Sequence, residues 1–179
     1  MVPIAHLSAG LAVYKISSIS NLQIENSILM GTALLGSLAP DIDGLFGSKM
    51  KDHRYTIFHA PIFWLSIYLI THALLTTFGY QQFLTYLITF IIGTFIHLLL
   101  DFLSARTSGV WIFYPFSKRA HSLFKLQPEM GDTSVFPSLK DRRYVEFWKF
   151  YLQNKVLVII EVLFILFSLL IFLFYPFGS

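Results

Sequence analysis

The sequence predicts an all-α integral membrane bundle of about five hydrophobic helices, two of them short, together with a polar interfacial segment. The chain has 179 residues, of which 55% are hydrophobic and only 13% are charged, whereas a soluble domain carries about 25% charged residues. The apolar residues fall into separate runs, and a run of roughly 20 suffices to cross a bilayer as a helix. We therefore expect residues 1–179 to form a single membrane-embedded domain.

The first two apolar runs are rich in small residues, which allow helices to approach closely in membranes. Pro3 to Ile19 forms the first run, and no Lys or Arg precedes it, so we expect a retained helix rather than a signal peptide. Asn26 to Ala39 forms the second, but a helix of this length reaches only about 21 Å. It is therefore either a short span or a re-entrant segment, and Pro40 ends it.

Three longer runs predict full membrane crossings. Ile57 to Phe78 and Phe83 to Leu103 are joined by a tight, uncharged turn, which predicts an antiparallel hairpin. Val156 to Phe174 is the last predicted transmembrane helix. Between these runs, residues 104–154 mix Lys and Arg with Trp, Tyr and Phe. That mixture is typical of a segment lying on the head-group layer.

The basic residues predict the orientation. Threading the helices alternately places the loops 40–56 and 104–154 on one side of the membrane, and with Lys155 that side holds twelve of the thirteen Lys and Arg residues. The positive-inside rule makes it cytoplasmic, in a multi-pass protein of the inner (plasma) membrane. We expect membrane lipids as partners and no nucleic acid, because the basic residues flank apolar runs instead of forming a stripe on a soluble face.

Side chains that bind metals fall on the same side of the predicted bundle. His97 and Asp101 are four residues apart in one helix, so both project from one face. A carboxylate within a span costs about 2.5 to 3.5 kcal/mol on insertion scales, and such a residue is usually paired, ligated or functional. The complete predicted ligand set is His6, Asp41, Asp43, His53, His59, His97 and Asp101.

The predicted ligands are imidazoles and carboxylates, because the chain contains no cysteine. This set favours Zn, with Mn, Fe or Ni as alternatives, over an all-oxygen Ca site. One zinc takes about three or four protein ligands, so seven candidates favour two divalent ions, with Asp41 or Asp43 bridging them. Two such ions would activate a water for a phosphoryl displacement.

These motifs resemble a known family, the LexA-binding, inner membrane-associated hydrolases, also described as YdjM-like membrane-bound metal-dependent hydrolases. The resemblance covers roughly the first 120 residues, which form the core motif region. It is carried by His6, Leu38-Ala39-Pro40-Asp41-Ile42-Asp43, His53-Arg54, Phe58-His59, the run Gly93 to Asp101, Gly109 and Tyr114-Pro115-Phe116. One departure is Ala60, which follows His59 where the family often has Ser. The resemblance implies metal-dependent hydrolysis, of a phosphoester in or near the membrane as in zinc phospholipases C.

We therefore expect a membrane-bound hydrolase that cleaves phosphoester bonds of a lipid or membrane-associated small molecule with a metal-activated water at the cytoplasmic face. Asp41, Asp43 and Asp101 would serve in catalysis as well as in binding. Arg54 would clamp a substrate phosphate through its fork of donors. The alternative for Arg54 is an ordinary positive charge at the start of a helix.

Two other classes of function stay open at this point. A metal carrier or transporter would use the same ligands, although transport normally needs sites near the midplane. A non-enzymatic scaffold would use residues 104–154 to engage lipids or another protein. The roles of His121 and Glu161 also stay open, with Glu161 either functional within its span or paired with Lys155 or another helix.

Overall fold

A computed structural model describes residues 3–20, 27–45, 56–127 and 142–174. Within these ranges the regular structure is helical, apart from one isolated antiparallel bridge between Val110 and His121. The all-helical class is therefore confirmed, and each predicted hydrophobic helix has a counterpart. The helices are α1 (Pro3–Ser20), α2 (Ser27–Leu38), α3 (Pro61–Thr77), α4 (Leu84–Ser104), α5 (Arg142–Gln153) and α6 (Lys155–Phe174).

Two segments of the described chain are long and apolar enough to cross a membrane. They are Gln81–Ser104, which comprises α4 and the 3-10 turn before it, and α6. Helix α3 is also apolar but shorter. Large apolar side chains of α6, among them Leu163 and Phe167, are exposed on the protein surface. Such a surface is expected where the surrounding solvent is lipid.

The third helix begins later than the apolar run at Ile57 predicts. Residues Ile57–His59 form a 3-10 turn, Ala60 is extended, and α3 starts at Pro61. Proline favours the first position of a helix because its φ is already helical and it lacks only an N–H that would have no partner there. It also disfavours helical geometry in the residue before it. This break leaves His59 in a turn at the end of the bundle.

Helix α2 packs against both α1 and α4, while α3 packs on α4 and α6 packs on α1. The crossing of α2 and α4 is very close at its glycines. A Cβ atom at Gly36 would lie 2.2 Å from the carbonyl oxygen of Phe90, and one at Gly93 would lie 2.9 Å from that of Ala33. Glycine is therefore required at both positions, and the crossing brings the last turn of α2 beside α4.

Short connections follow α2 and α5. Helix α2 gives way at Ala39 to a 3-10 segment, Ala39–Leu45, which carries Asp41 and Asp43. The predicted interfacial segment contains α5, and Asn154 separates this helix from α6. The side chain of Asn154 accepts a hydrogen bond from the N–H of Leu157 at 3.2 Å and so caps α6.

Candidate metal centre

Four side chains from three parts of the fold meet at one point. One ligand atom from each of Asp41, His59, His97 and Asp101 lies within 4.8 Å of all the others. Asp41 comes from the 3-10 segment after α2, His59 from the turn before α3, and the other two from successive turns of α4. His59, His97 and Asp101 are fully buried, whereas the side chain of Asp41 is 18% exposed.

Two imidazoles present the same nitrogen to the same pair of carboxylates. Nε2 of His59 lies 3.6 Å from Oδ1 of Asp41 and 3.4 Å from Oδ2 of Asp101. Nε2 of His97 lies 3.5 Å and 3.3 Å from those two oxygens. Charge-assisted hydrogen bonds are shorter, at about 2.7 to 2.9 Å. A tetrahedral zinc with bonds of about 2.0 to 2.1 Å separates its ligands by about 3.3 to 3.4 Å, so the spacing fits an ion.

His6 approaches the same two carboxylates beside His97. Its ring stacks on that of His97, with the centroids 3.7 Å apart. Its Nε2 lies 3.5 Å from Oδ1 of Asp101 and 4.0 Å from Oδ2 of Asp41. Each carboxylate therefore directs one oxygen toward the pair His59 and His97 and its other oxygen toward His6.

Hydrogen-bond acceptors behind the rings of His97 and His59 fix their orientation. The carbonyl oxygen of Ser37 lies 2.7 Å from Nδ1 of His97, and because a carbonyl only accepts, Nδ1 carries the proton and Nε2 keeps a lone pair. Nδ1 of His59 lies 3.2 Å from Oδ2 of Asp43. That oxygen also accepts a hydrogen bond of 2.6 Å from Thr56. Metal-bound histidines have partners of this kind on the nitrogen away from the ion.

The electrostatics of the cluster favour a cation. Burial by itself lowers the pKa of the His59 imidazole, but the carboxylates of Asp101, Asp41 and Asp43 outweigh it and raise this pKa to about 10. Among the described residues, Nε2 of His97 and both ring nitrogens of His6 are buried without a hydrogen-bond partner. Such atoms cost about 1 to 3 kcal/mol each when nothing satisfies them. A His/Asp cluster of this composition can hold a metal ion.

The seven predicted ligands fall into three groups according to where the structure places them. The structure brings five of them together, namely His6, Asp41, His59, His97 and Asp101. Asp43 is buried beside the opposite nitrogen of His59, where it orients the ring. His53 and Arg54 lie outside the described residues, so their predicted roles as a ligand and as a phosphate clamp stay predictions.

Three residues near the cluster have roles that sequence reasoning missed. Ser37 acts through its carbonyl, a group that every residue possesses, so no sequence signal marks it. Thr56 is a hydroxyl residue three positions before His59, a spacing that could have drawn attention to it. The backbone N–H of Trp111 donates to the carbonyl of His59 at 3.0 Å and so ties the turn that carries His59 to the loop after α4.

His121 lies in the loop that supports Trp111. It pairs with Val110 through two backbone hydrogen bonds of 2.9 Å, and its ring packs edge-on against Phe113. A Cβ atom at Gly109 would lie 2.0 Å from the carbonyl oxygen of His121, so only glycine fits there. The structure thus places His121 in the supporting loop and outside the five clustered ligands.

Glu161 belongs to a separate buried cluster. Its Oε1 lies 2.5 Å from Nη1 of Arg106, and its Oε2 accepts a hydrogen bond from the Tyr151 hydroxyl. The Arg106 guanidinium also lies over the Tyr151 ring, 4.3 Å from its centroid. Burial and the Glu161 carboxylate raise the pKa of the Tyr151 phenol. These contacts join α5 and α6 to the segment that follows α4.

Comparison with known proteins places this architecture within one family. A family model described as the YdjM inner membrane protein matches residues 1–178. Neither a curated protein nor a solved structure matches the chain. The family model spans all five clustered ligands, both candidate spans and the Arg106 cluster, in agreement with the predicted resemblance. The chain belongs to the YdjM inner membrane protein family.

Proposed function

We propose that this chain is a multi-pass, metal-dependent hydrolase that cleaves phosphoester bonds of a lipid or membrane-associated substrate at the cytoplasmic face of the inner membrane. One observation carries the proposal: Asp41 and Asp101 each place one oxygen near Nε2 of His59 and of His97 and the other oxygen near Nε2 of His6. Carboxylates between two sets of ligands are typical of sites with two metal ions, which catalyse phosphoryl displacements.

The donor atoms divide naturally into two sets. One set would consist of His59, His97, Oδ1 of Asp41 and Oδ2 of Asp101. The other would consist of His6 with the remaining oxygens of the same two carboxylates. Asp101 would then share the bridging role with Asp41, while Asp43 orients His59. Zinc suits this mixture best, with Mn, Fe or Ni as alternatives.

When bound, ions held in this way polarise a phosphoryl oxygen and lower the pKa of a water to near neutrality. The protein's own contribution is to hold the ligands before substrate arrives. Ser37 fixes the tautomer of His97, and Asp43 fixes the ring of His59. Asp41 is the clustered ligand with a partly exposed side chain, so water and substrate would enter past it. Arg54, close in sequence to His59, would bind a phosphate oxygen.

The test combines metal content with activity. Purified protein in neutral lipid nanodiscs, loaded with Zn, should hold about two ions per chain by elemental analysis and should hydrolyse a phospholipid head group or a simple phosphodiester. Asp101→Asn and His97→Ala should remove metal and turnover together. The matched control is His72→Ala in α3, because His72 is half-buried beside Tyr68 and away from the cluster.

Two outcomes would overturn the proposal. One is wild-type turnover in both Asp101→Asn and His97→Ala. The other is Asp101-dependent metal binding without hydrolysis of any phosphoester, accompanied by metal uptake into proteoliposomes, which would favour a carrier.

A further inference from the structure

A cavity of about 410 Å³ lies outside the metal centre, where the segment after α4 meets the end of α5 and the start of α6. Its wall includes Ala105, whose N–H donates to the carbonyl of Asp101 at 2.9 Å. The cavity thus begins one helical turn beyond a clustered ligand. None of the five clustered ligands lines it.

The lining of the cavity is basic. Three of its residues carry positive charge, and three more carry side-chain amides that can donate hydrogen bonds: Arg106, Lys125, Lys155, Gln127, Gln153 and Asn154. Within the part of the chain that the structure describes, no acidic residue lines it. Several cations around one hollow raise the local concentration of anions.

Arg106 has binding capacity that the fold leaves unused. Its side chain is nine-tenths buried, and its Nη1 is occupied by Glu161. Across the described residues, its Nε and Nη2 atoms are buried and have no hydrogen-bond partner. These two nitrogens form the edge of the guanidinium that pairs with two oxygens of one phosphate or carboxylate. Arg106 lines the cavity, and an oxoanion is the class of ligand that a guanidinium recognises.

The start of α6 contributes further donors and positive potential. Lys155, Val156 and Leu157 line the cavity, and the first N–H groups of a helix have no acceptor within it. The side chain of Asn154 accepts a hydrogen bond from the N–H of Leu157. The N–H groups of Lys155 and Val156 have no acceptor within α6, because the residues four positions before them precede this helix. The N-terminus of a helix of this length also favours negative charge.

Backbone hydrogen bonds hold the loop that carries Lys125 against α4. The N–H of Gln127 donates to the carbonyl of Arg106 at 2.7 Å, and that of Leu123 donates to the carbonyl of Phe102 at 2.8 Å. Lys125 lies between these two anchors. The fold therefore holds the backbone that carries Lys125 beside Arg106.

We propose that this cavity binds the phosphate group of an anionic ligand, supplied by a phospholipid of the surrounding leaflet. The start of an apolar helix such as α6 is where a span meets the head-group layer, and basic residues at that depth attract anionic lipids. A free phosphate offers the same oxygens without acyl chains. The proposal does not depend on the hydrolase assignment.

The experiment is native mass spectrometry of the whole protein in neutral detergent, titrated separately with phosphatidylglycerol, phosphatidylcholine and inorganic phosphate. We expect one phosphatidylglycerol to bind more tightly than phosphatidylcholine. The double variant Lys125→Glu/Lys155→Glu, at two exposed positions, should weaken this binding about tenfold or more, since each cation near the surface contributes about 1 kcal/mol.

The matched control is Lys118→Glu/Arg119→Glu, which changes the net charge equally at exposed positions outside the cavity. It should bind phosphatidylglycerol with wild-type affinity. Equal losses in both double variants, or no loss in either, would overturn the proposal. A third result is also informative: the cavity variant alone loses binding of inorganic phosphate, while the wild-type protein shows no preference for phosphatidylglycerol. This result would support a phosphate site and overturn its assignment to a lipid.

Discussion

Nδ1 of His97 lies 2.7 Å from the carbonyl oxygen of Ser37, and this contact ties the imidazole on α4 to the last turns of α2. The orientation of Nε2 toward Asp41 and Asp101 therefore depends on how closely the two helices approach. Their approach is set by glycines, because backbone lies where a side chain would otherwise be.

Gly36→Ala should damage the metal centre without touching a ligand. The new Cβ would lie 2.2 Å from the carbonyl oxygen of Phe90, so α2 and α4 would have to separate and Ser37 would move away from His97. Overpacking of this kind costs about 1 to 3 kcal/mol. We expect a lower unfolding temperature and weaker zinc binding, measured by thermal unfolding with and without chelator.

Gly31→Ala is the control for this change, since a Cβ at Gly31 meets no atom within 4 Å. Alanine also favours a helix over glycine by up to about 1 kcal/mol. This variant should retain zinc and unfold at the wild-type temperature or slightly above it. Equal behaviour of the two variants would contradict the role of the α2–α4 crossing.

Asp43→Asn should weaken metal binding without abolishing it. The carboxylate lies 3.2 Å from Nδ1 of His59, on the side away from Asp41 and Asp101. Loss of such a partner typically reduces metal affinity about 10- to 100-fold. Chelator competition should show this reduction together with wild-type stoichiometry at saturating zinc. Loss of a full equivalent of zinc would instead make Asp43 a direct ligand.

Glu161→Gln should destabilise the fold and leave metal affinity unchanged. Removing the charge leaves the nine-tenths buried Arg106 without its anionic partner, and breaking a buried pair costs about 3 kcal/mol or more. Tyr151→Phe removes one hydrogen bond to the same carboxylate and should cost about 1 kcal/mol. Denaturant unfolding in a fixed detergent measures both, and a greater loss from Tyr151→Phe would contradict this ranking.

The orientation of the chain can be tested by single cysteines, because the sequence contains none. We expect Gln82→Cys, in the turn before α4, to react with a membrane-impermeant maleimide applied to the outer side of the inner membrane. Lys118→Cys, in the loop after α4, should react only after that membrane is permeabilised. Both positions are exposed. The reverse labelling pattern would place the metal centre on the outer side.

Features that repeat locally along the chain could be predicted from sequence. The apolar runs predict α1, α2, α4 and α6 to within a residue or so of their bounds, because hydrophobicity and proline act within one helix. The spacing of His97 and Asp101 likewise predicts a shared face, and Nε2 of His97 lies 3.3 Å from Oδ2 of Asp101. Both signals are contained in a few consecutive residues.

Features that depend on contacts between distant segments could not be predicted in detail. Which partner Glu161 takes depends on how α6 packs, and the fold selects Arg106, a residue 55 positions earlier. The break before Pro61 is by contrast a local effect of that proline, and an interpretation based only on the apolar run from Ile57 misses it. Asp41 and Asp43 carry the same side chain two residues apart. Only the path of the 3-10 segment places Asp41 near Nε2 of His59 and Asp43 near Nδ1 of the same ring.

His6 on α1 stacks on His97 near the end of α4, and this has a consequence for biosynthesis. The earliest and latest clustered side chains, His6 and Asp101, are separated by most of the first four helices, so a nascent chain lacks the complete cluster until α4 has left the ribosome and packed against α1. The proposed metal centre would therefore be complete only after these helices have packed together, and any factor that supplied its ion would have to reach the folded bundle.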